Sequence, residues 1–121
     1  MKRRVLIVDD SATMRDMVSY TLNNAGFDVL EAVDGEDALA VLAGERVDLV
    51  ITDLNMPNLD GIGLTKKLRA DPVHLATPIL CLTTEREAST KNLAKMAGAT
   101  GWIEKPFDPD RLVQAANKVC V

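Results

Sequence analysis

The chain of 121 residues fits one domain of ordinary size, long enough to bury a core without disulfide or metal staples. Its composition, 47% hydrophobic and 26% charged, is that of a globular protein. The net charge of −4 argues against broad binding to nucleic acid or to an anionic membrane, because both reward Lys/Arg patches.

The elements alternate along the chain. The run RVLIV (4–8) reads as a strand, and its apolar continuity is that of a strand covered on both faces. In SATMRDMVSYTLNNAG (11–26), Met14, Met17, Val18, Thr21, Leu22 and Ala25 share one helical face, with Ser11 capping the start and Gly26 the end. Both methionines are therefore read as core. DVLEA (28–32) is a strand of mixed pattern, as at a sheet edge. GEDALAVLAG (35–44) repeats the helical theme with Ala38, Leu39 and Leu42, and DLVIT (48–52) is again continuously apolar after its aspartate. GIGLTKKLRAD (61–71) places Ile62, Leu64, Thr65 and Leu68 for a third helix. His74 lies in the polar run DPVHLAT and is expected to be exposed. PILCLT (78–83) is the fourth strand, where Cys81 packs as a small hydrophobe. EREASTKNLAKMAG (85–98) is a helix ending on Gly98, and GWIE (101–104) is a mixed fifth strand. The last helix (108–119) opens with Asp108 as cap, Pro109 at the first helical position and Asp110 in the first turn.

Five βα units with short connections imply an α/β fold, a parallel sheet with helices on both faces and right-handed crossovers. No linker, repeat or second domain is visible over 1–121, and no attached output module is expected. Cys81 and Cys120 stand in no Cys-x-x-Cys or zinc spacing, so a reducing, cytoplasmic location is expected. The basic start MKRR is followed by an apolar run too short for a signal peptide, and no stretch approaches transmembrane length.

In open parallel sheets, ligands bind beyond the carboxyl ends of the strands. The residues there are Asp9 and Asp10 after the first strand, Asp53 after the third, Thr83 and Thr84 after the fourth, and Lys105 after the fifth. Two carboxylates about 4 Å apart repel by roughly 4 kcal/mol at an effective dielectric near 20. Three together need a proton or a cation. All-oxygen ligands suit a hard ion, and Mg²⁺ leaves room for a phosphoryl oxygen. Carboxylates, Mg²⁺, Lys105 and the Thr83 hydroxyl make a site for placing a phosphoryl group on an aspartate.

VLIVDDS, LVITDLNMPNLDG, ILCLTT and GWIEKPF resemble the successive motifs of the response-regulator receiver domain, over the whole chain. The resemblance implies the three-layer, flavodoxin-like (βα)5 fold with strand order 2-1-3-4-5, which puts the two mixed strands at the edges. It further implies Asp53 as phosphoacceptor, with Asp10, Asp53 and the backbone carbonyl of Asn55 on Mg²⁺ (or Mn²⁺) and Asp9 acting through metal-bound water. Lys105 would pair with phosphoryl oxygens and Thr83 would hydrogen-bond one of them. Lys105–Pro106 would be a cis peptide, Gly61 would supply unusual backbone angles, and Asn55 and Glu85 would tune dephosphorylation. Two positions depart from the family's usual residues: Trp102 stands at a switch position where Tyr or Phe is usual, and Thr84 where Ala is frequent, which restricts access to Asp53.

The runs DDSATMRDMVSYTL and GATGWIEKPFDPDRL look most like chemotaxis-type single-domain regulators. A histidine kinase would donate the phosphoryl group, a flagellar motor switch protein would read it, and a phosphatase would remove it, on a monomer that is not a conventional enzyme. A phosphate sink or phosphorelay intermediate is compatible with the same residues. A haloacid-dehalogenase-type phosphatase fits less well, since its nucleophile follows the first strand as Asp-x-Asp and here Asp9 and Asp10 are adjacent. A flavin carrier fits least, because carboxylates after the first strand would repel a phosphate. GIG at 61–63 is no nucleotide fingerprint.

Overall fold

A computed structural model describes residues 2–84 and 87–120. The five apolar runs form strands β1 (Arg4–Val8), β2 (Asp28–Ala32), β3 (Leu49–Thr52), β4 (Ile79–Thr83) and β5 (Gly101–Glu104). All pair in parallel, in the order β2-β1-β3-β4-β5. Between and after them lie α1 (Ala12–Asn24), α2 (Gly35–Val41), α3 (Gly61–Arg69), α4 (Ala88–Ala97) and α5 (Pro109–Val119).

Alternation along each strand divides the core into two layers. Val5 and Ile7 of β1 join Val18 and Leu22 of α1 and Leu112 and Ala116 of α5 on one side of the sheet. Leu6 and Val8 join Ala38 of α2 and Leu64 and Leu68 of α3 on the other. The central strands β1, β3 and β4 are buried almost throughout, whereas β2 and β5 carry exposed and half-buried residues as edge strands do.

The helix starts follow their caps. The side chains of Ser11, Asp34, Asp60 and Asp108 each accept a hydrogen bond from a backbone N–H in the first turn of α1, α2, α3 and α5. The ends are shorter than the apolar pattern predicts. α2 stops at Val41 rather than 44, because Ala43 and Glu45 donate to Ala40 and Leu42, three residues back, and tighten the chain into a turn. α3 stops at Arg69, since Asp71 precedes Pro72 and the α region is disfavoured there. α4 begins at Ala88 rather than 85, with Glu87 in the cap position.

Three expectations are corrected. Met17 is half exposed, and only Met14 of the two helical methionines packs against the core. The buried stripe of α1 runs through Val18, Ser19 and Leu22, which rotates Met17 toward solvent. His74 is buried at 2% exposure. Its carbonyl accepts from the Arg69 guanidinium at 2.8 Å, and Arg69 also reaches the Thr77 carbonyl at 2.7 Å, so the 71–77 turn is drawn onto the end of α3 with the imidazole inward. Gly61 does not supply unusual angles: it is the first helical residue of α3. The requirement there is space, since a Cβ would stand 2.2 Å from the Asp53 carbonyl oxygen. The left-handed residue of this loop is Asn58, at φ 67°.

Candidate functional site

The sheet's hydrogen-bond ladder runs one residue past the strands and fixes the backbone from which the site is built. The backbone N–H of Asp9 donates to Ala32, that of Asp53 to Val8 at 2.9 Å, and that of Lys105 to Thr83 at 2.9 Å. Three chemically active side chains therefore begin from backbone held by the ladder itself.

Asp9 is buried, with both carboxylate oxygens engaged: Oδ1 accepts from the Ser11 N–H at 2.9 Å, and Oδ2 from Lys105 Nζ at 3.1 Å. Its carbonyl accepts from the Arg15 guanidinium at 2.7 Å, which ties the strand end to α1. Asp10 is exposed, and its carboxylate has no hydrogen bond or ion pair among the described residues. Lys105 Nζ also lies 3.3 Å from Asp53 Oδ2, and the Asn55 N–H donates to Asp53 Oδ1 at 3.4 Å. Carboxylate oxygens of Asp9, Asp10 and Asp53 all lie within 4.8 Å of one another. One ammonium thus pairs with two carboxylates of a cluster of three.

Burial, more than this charge balance, governs Asp53. Burial pushes its carboxyl above the ordinary 3.8, Lys105 opposes the rise and Asp9 adds to it. Behind it, burial pushes the Cys81 thiol up to about 12, with the Asp53 charge contributing. An all-oxygen donor set short of positive charge fits a hard divalent cation such as Mg²⁺.

Thr83 is buried at the end of β4, and Thr84 beyond it is exposed. The Lys105–Pro106 peptide is cis. Asn55 lies on the exposed part of the loop between β3 and α3. Trp102 is exposed, and its ring contact is with Lys91. It lies on β5, two residues before Glu104, with Lys91 Nζ 5.2 Å from its ring centroid and 3.2 Å from Glu104 Oε1. Glu85 lies outside the described residues.

Several supporting residues escape the motif reading. Arg15 carries the backbone of Asp9, and Asp34 accepts from Asn58 Nδ2 at 2.7 Å, joining the turns after β2 and β3. The available signal for Asn58 is its residue type: Asn in a turn tolerates the left-handed region.

The order 2-1-3-4-5 with helices on both faces is the flavodoxin-like receiver class of fold. The chain belongs to the response regulator receiver domain family, whose model matches residues 5–117. Receiver domains are the signal-accepting parts of two-component response regulators and bind Mg²⁺ in an acidic pocket. Among solved structures, the chain is similar to the chemotaxis protein CheY4 of Vibrio cholerae, at 44% identity and TM-score 0.94, over 98% of this chain and 99% of that one. A response regulator structure from Chloroflexus aurantiacus gives TM-score 0.95 at 35% identity, over 99% and 98% of the two chains. Among curated relatives, the alkaline phosphatase synthesis regulator PhoP of Bacillus subtilis is 39% identical over 109 residues, which is 90% of this chain and 45% of that protein. The phosphate regulon regulator PhoB of Pseudomonas aeruginosa is 37% identical over 117 residues, 97% of this chain and 51% of that protein. The chain spans about half the length of these curated relatives.

Proposed function

We propose that this protein is a phosphoacceptor switch in which Asp53 takes a phosphoryl group from a histidine kinase or from a small donor such as acetyl phosphate. The observation that carries the reading is Lys105, 3.1 Å from Asp9 and 3.3 Å from Asp53, in a cluster with Asp10 that leaves carboxylates in excess. A carboxylate oxygen of Asp53 forms a bond to phosphorus as the bond from phosphorus to the donor nitrogen or oxygen breaks, and that donor atom keeps the electron pair. Lys105 is placed to turn from Asp53 to the charge on the arriving phosphoryl oxygens. Asp10, Asp53 and the Asn55 carbonyl would hold Mg²⁺, with Asp9 reached through water. The ion supplies charge neutralisation for the transferred group. The Thr83 hydroxyl would then bind a phosphoryl oxygen, and Thr84 borders the entrance. Asn55 and Glu85 are assigned to the rate at which water later removes the group.

Phosphorylation adds close to two negative charges at this end of the sheet. The readout is a protein contact on the α4, β5 and α5 side, which carries Trp102. Chemotaxis is the favoured setting, supported by near-complete mutual coverage with CheY4. A flagellar motor switch protein is then the target, a chemotaxis kinase the donor and a phosphatase the terminator, in the cytoplasm. Among the described residues no helix is long and apolar enough to cross a membrane.

Acetyl phosphate with Mg²⁺ should place one label on Asp53, and Asp53→Asn should remove it. Full labelling of Asp53→Asn would overturn the reading. Pull-downs from the native extract with phosphorylated and unphosphorylated protein test the chemotaxis assignment.

A further inference from the structure

The loop from Asp53 to Gly61 is tied down at its base and at its outer edge. At the base, the Gly61 N–H donates to Leu54 at 3.0 Å, and the tight approach of Gly61 closes the turn on the backbone of Asp53. At the outer edge, the Leu59 carbonyl accepts from the Gly35 N–H at 3.1 Å, and Asn58 Nδ2 donates to Asp34 Oδ2 at 2.7 Å. Asn58 is the non-glycine residue with positive φ among those described. Such a conformation persists where surrounding contacts over-determine it, and here the contact is its own side chain on Asp34.

Asp34 is itself held. It is buried, and its Oδ1 accepts from the Asp37 N–H at 2.8 Å at the start of α2. The Asp37 carboxylate reaches back to the Val33 N–H at 2.9 Å. Two residues earlier, the Ala32 carbonyl receives the Asp9 N–H at 3.2 Å. The short segment 32–34 therefore grips both walls of the acidic pocket: the backbone of Asp9 through Ala32, and the 55–60 loop through Asp34. Asp9 and Asp53, which begin these two walls, join Asp10 in the carboxylate cluster.

We propose that the Asp34–Asn58 hydrogen bond positions the Asn55 carbonyl for the divalent cation, making Asp34 and Asn58 positioning residues of the metal site. The proposal rests on the reading of Asp53 and Asn55 as cation ligands. Leu54 is buried at the base of the loop, but beyond it Asn55, Pro57 and Asn58 are exposed and only Met56 and Leu59 lean on the core. A loop with so few apolar contacts samples other conformations unless polar ties restrain it. A cation that had to order the loop on arrival would bind more weakly, because ordering is subtracted from affinity.

The test is Mg²⁺ titration by calorimetry on the full chain, with acetyl phosphate labelling measured in parallel. Asn58→Gly keeps the left-handed turn accessible and removes the amide. Its Mg²⁺ affinity should fall about tenfold, the lower end of what loss of an outer partner costs a metal site. Its labelling rate at saturating Mg²⁺ should return to within about twofold of the parent. Asn58→Asp sets two carboxylates against each other and should lose affinity as well. Adding Asp34→Asn reverses donor and acceptor and should restore it. Unchanged affinity in Asn58→Gly, or a swap that restores nothing, overturns the proposal. A drop in metal-free melting temperature with unchanged Mg²⁺ affinity assigns the bond a purely structural role and overturns it equally. If the parent protein labels and binds Mg²⁺ while the variants match it, only this proposal fails. If the parent does neither, the phosphoacceptor reading fails and takes this one with it.

Discussion

The two ends of the sheet treat charge in opposite ways. At the end where the strands begin, the Arg4 guanidinium meets Glu45 at 2.8 Å and the Arg46 carbonyl at 3.1 Å, while the Arg4 N–H meets Asp48 at 2.7 Å. These groups are partly exposed and each has its partner close by. Where the strands end, one lysine pairs with two carboxylates, both buried, and the third, Asp10, has no cation beside it among the described residues. At the first pole the Arg4 charge is closed within the chain by Glu45. The other is left short of a cation, which is the condition a binding site needs and a purely structural surface avoids.

The sharpest way to break this contrast is at Asp53. Asp53→Asn should abolish acetyl phosphate labelling. It should also stabilise the metal-free protein at neutral pH, since burial makes the ionised carboxylate unfavourable there. The sign comes from a folded-state value raised above the ordinary 3.8: the parent loses stability as pH rises from that value through the raised one. The gap between variant and parent should therefore open across this window and stay flat above it. Parallel stability profiles would remove the link between burial and Asp53 ionisation.

Lys105→Met comes next. It leaves Asp9 buried without its cation, and removing one partner of a buried pair costs about 3 kcal/mol or more. Urea unfolding without metal measures this, and a loss no larger than that of an exposed pair would make the site electrostatically ordinary. Mg²⁺ should then repair part of what the protein leaves unbalanced. At a free concentration a hundredfold above its dissociation constant it adds about 2.7 kcal/mol. Coincident melts with and without Mg²⁺ would contradict the metal site. The smallest effect belongs to the opposite pole. Glu45→Gln removes an exposed ion pair and should cost under about 1 kcal/mol, with labelling unchanged. A labelling defect there would show that the poles are coupled.

Local pattern made most of the architecture legible. The bounds of β1, β2 and β5 match the expected runs, and each expected cap at Ser11 and Asp108 is made. Asp9, Asp10, Asp53 and Lys105 come together because they occupy one chemical position, the residue or two after a strand, which parallel pairing brings to one edge. What escaped lacks a local signature. Asn58 and Asp34 are 24 residues apart, and neither belongs to an apolar period. The polar residues around His74 predict an exposed side chain, yet Arg69 pulls that turn inward through backbone carbonyls that sequence does not distinguish. The helical pattern predicts Met17 on the buried face of α1, but that face turns toward Ser19 while Val18 and Leu22 stay buried. Met17 and Ser19 are both compatible with the helical period, and tertiary packing chose the serine.

Cys81 offers a use for the core that has nothing to do with signalling. It sits on β4, register-paired with Thr52 beside Asp53, and is shut away from solvent with its thiol pushed up to about 12. Such a thiol meets an alkylating reagent as thiolate only when the middle of the sheet opens. In a Cys120→Ser background its alkylation half-life becomes a chemical clock for that opening, read by mass without any spectroscopic label. A cation or phosphoryl group that tightens the strand ends should slow the clock, so the protein carries its own timer for how firmly the occupied pocket locks the strands behind it.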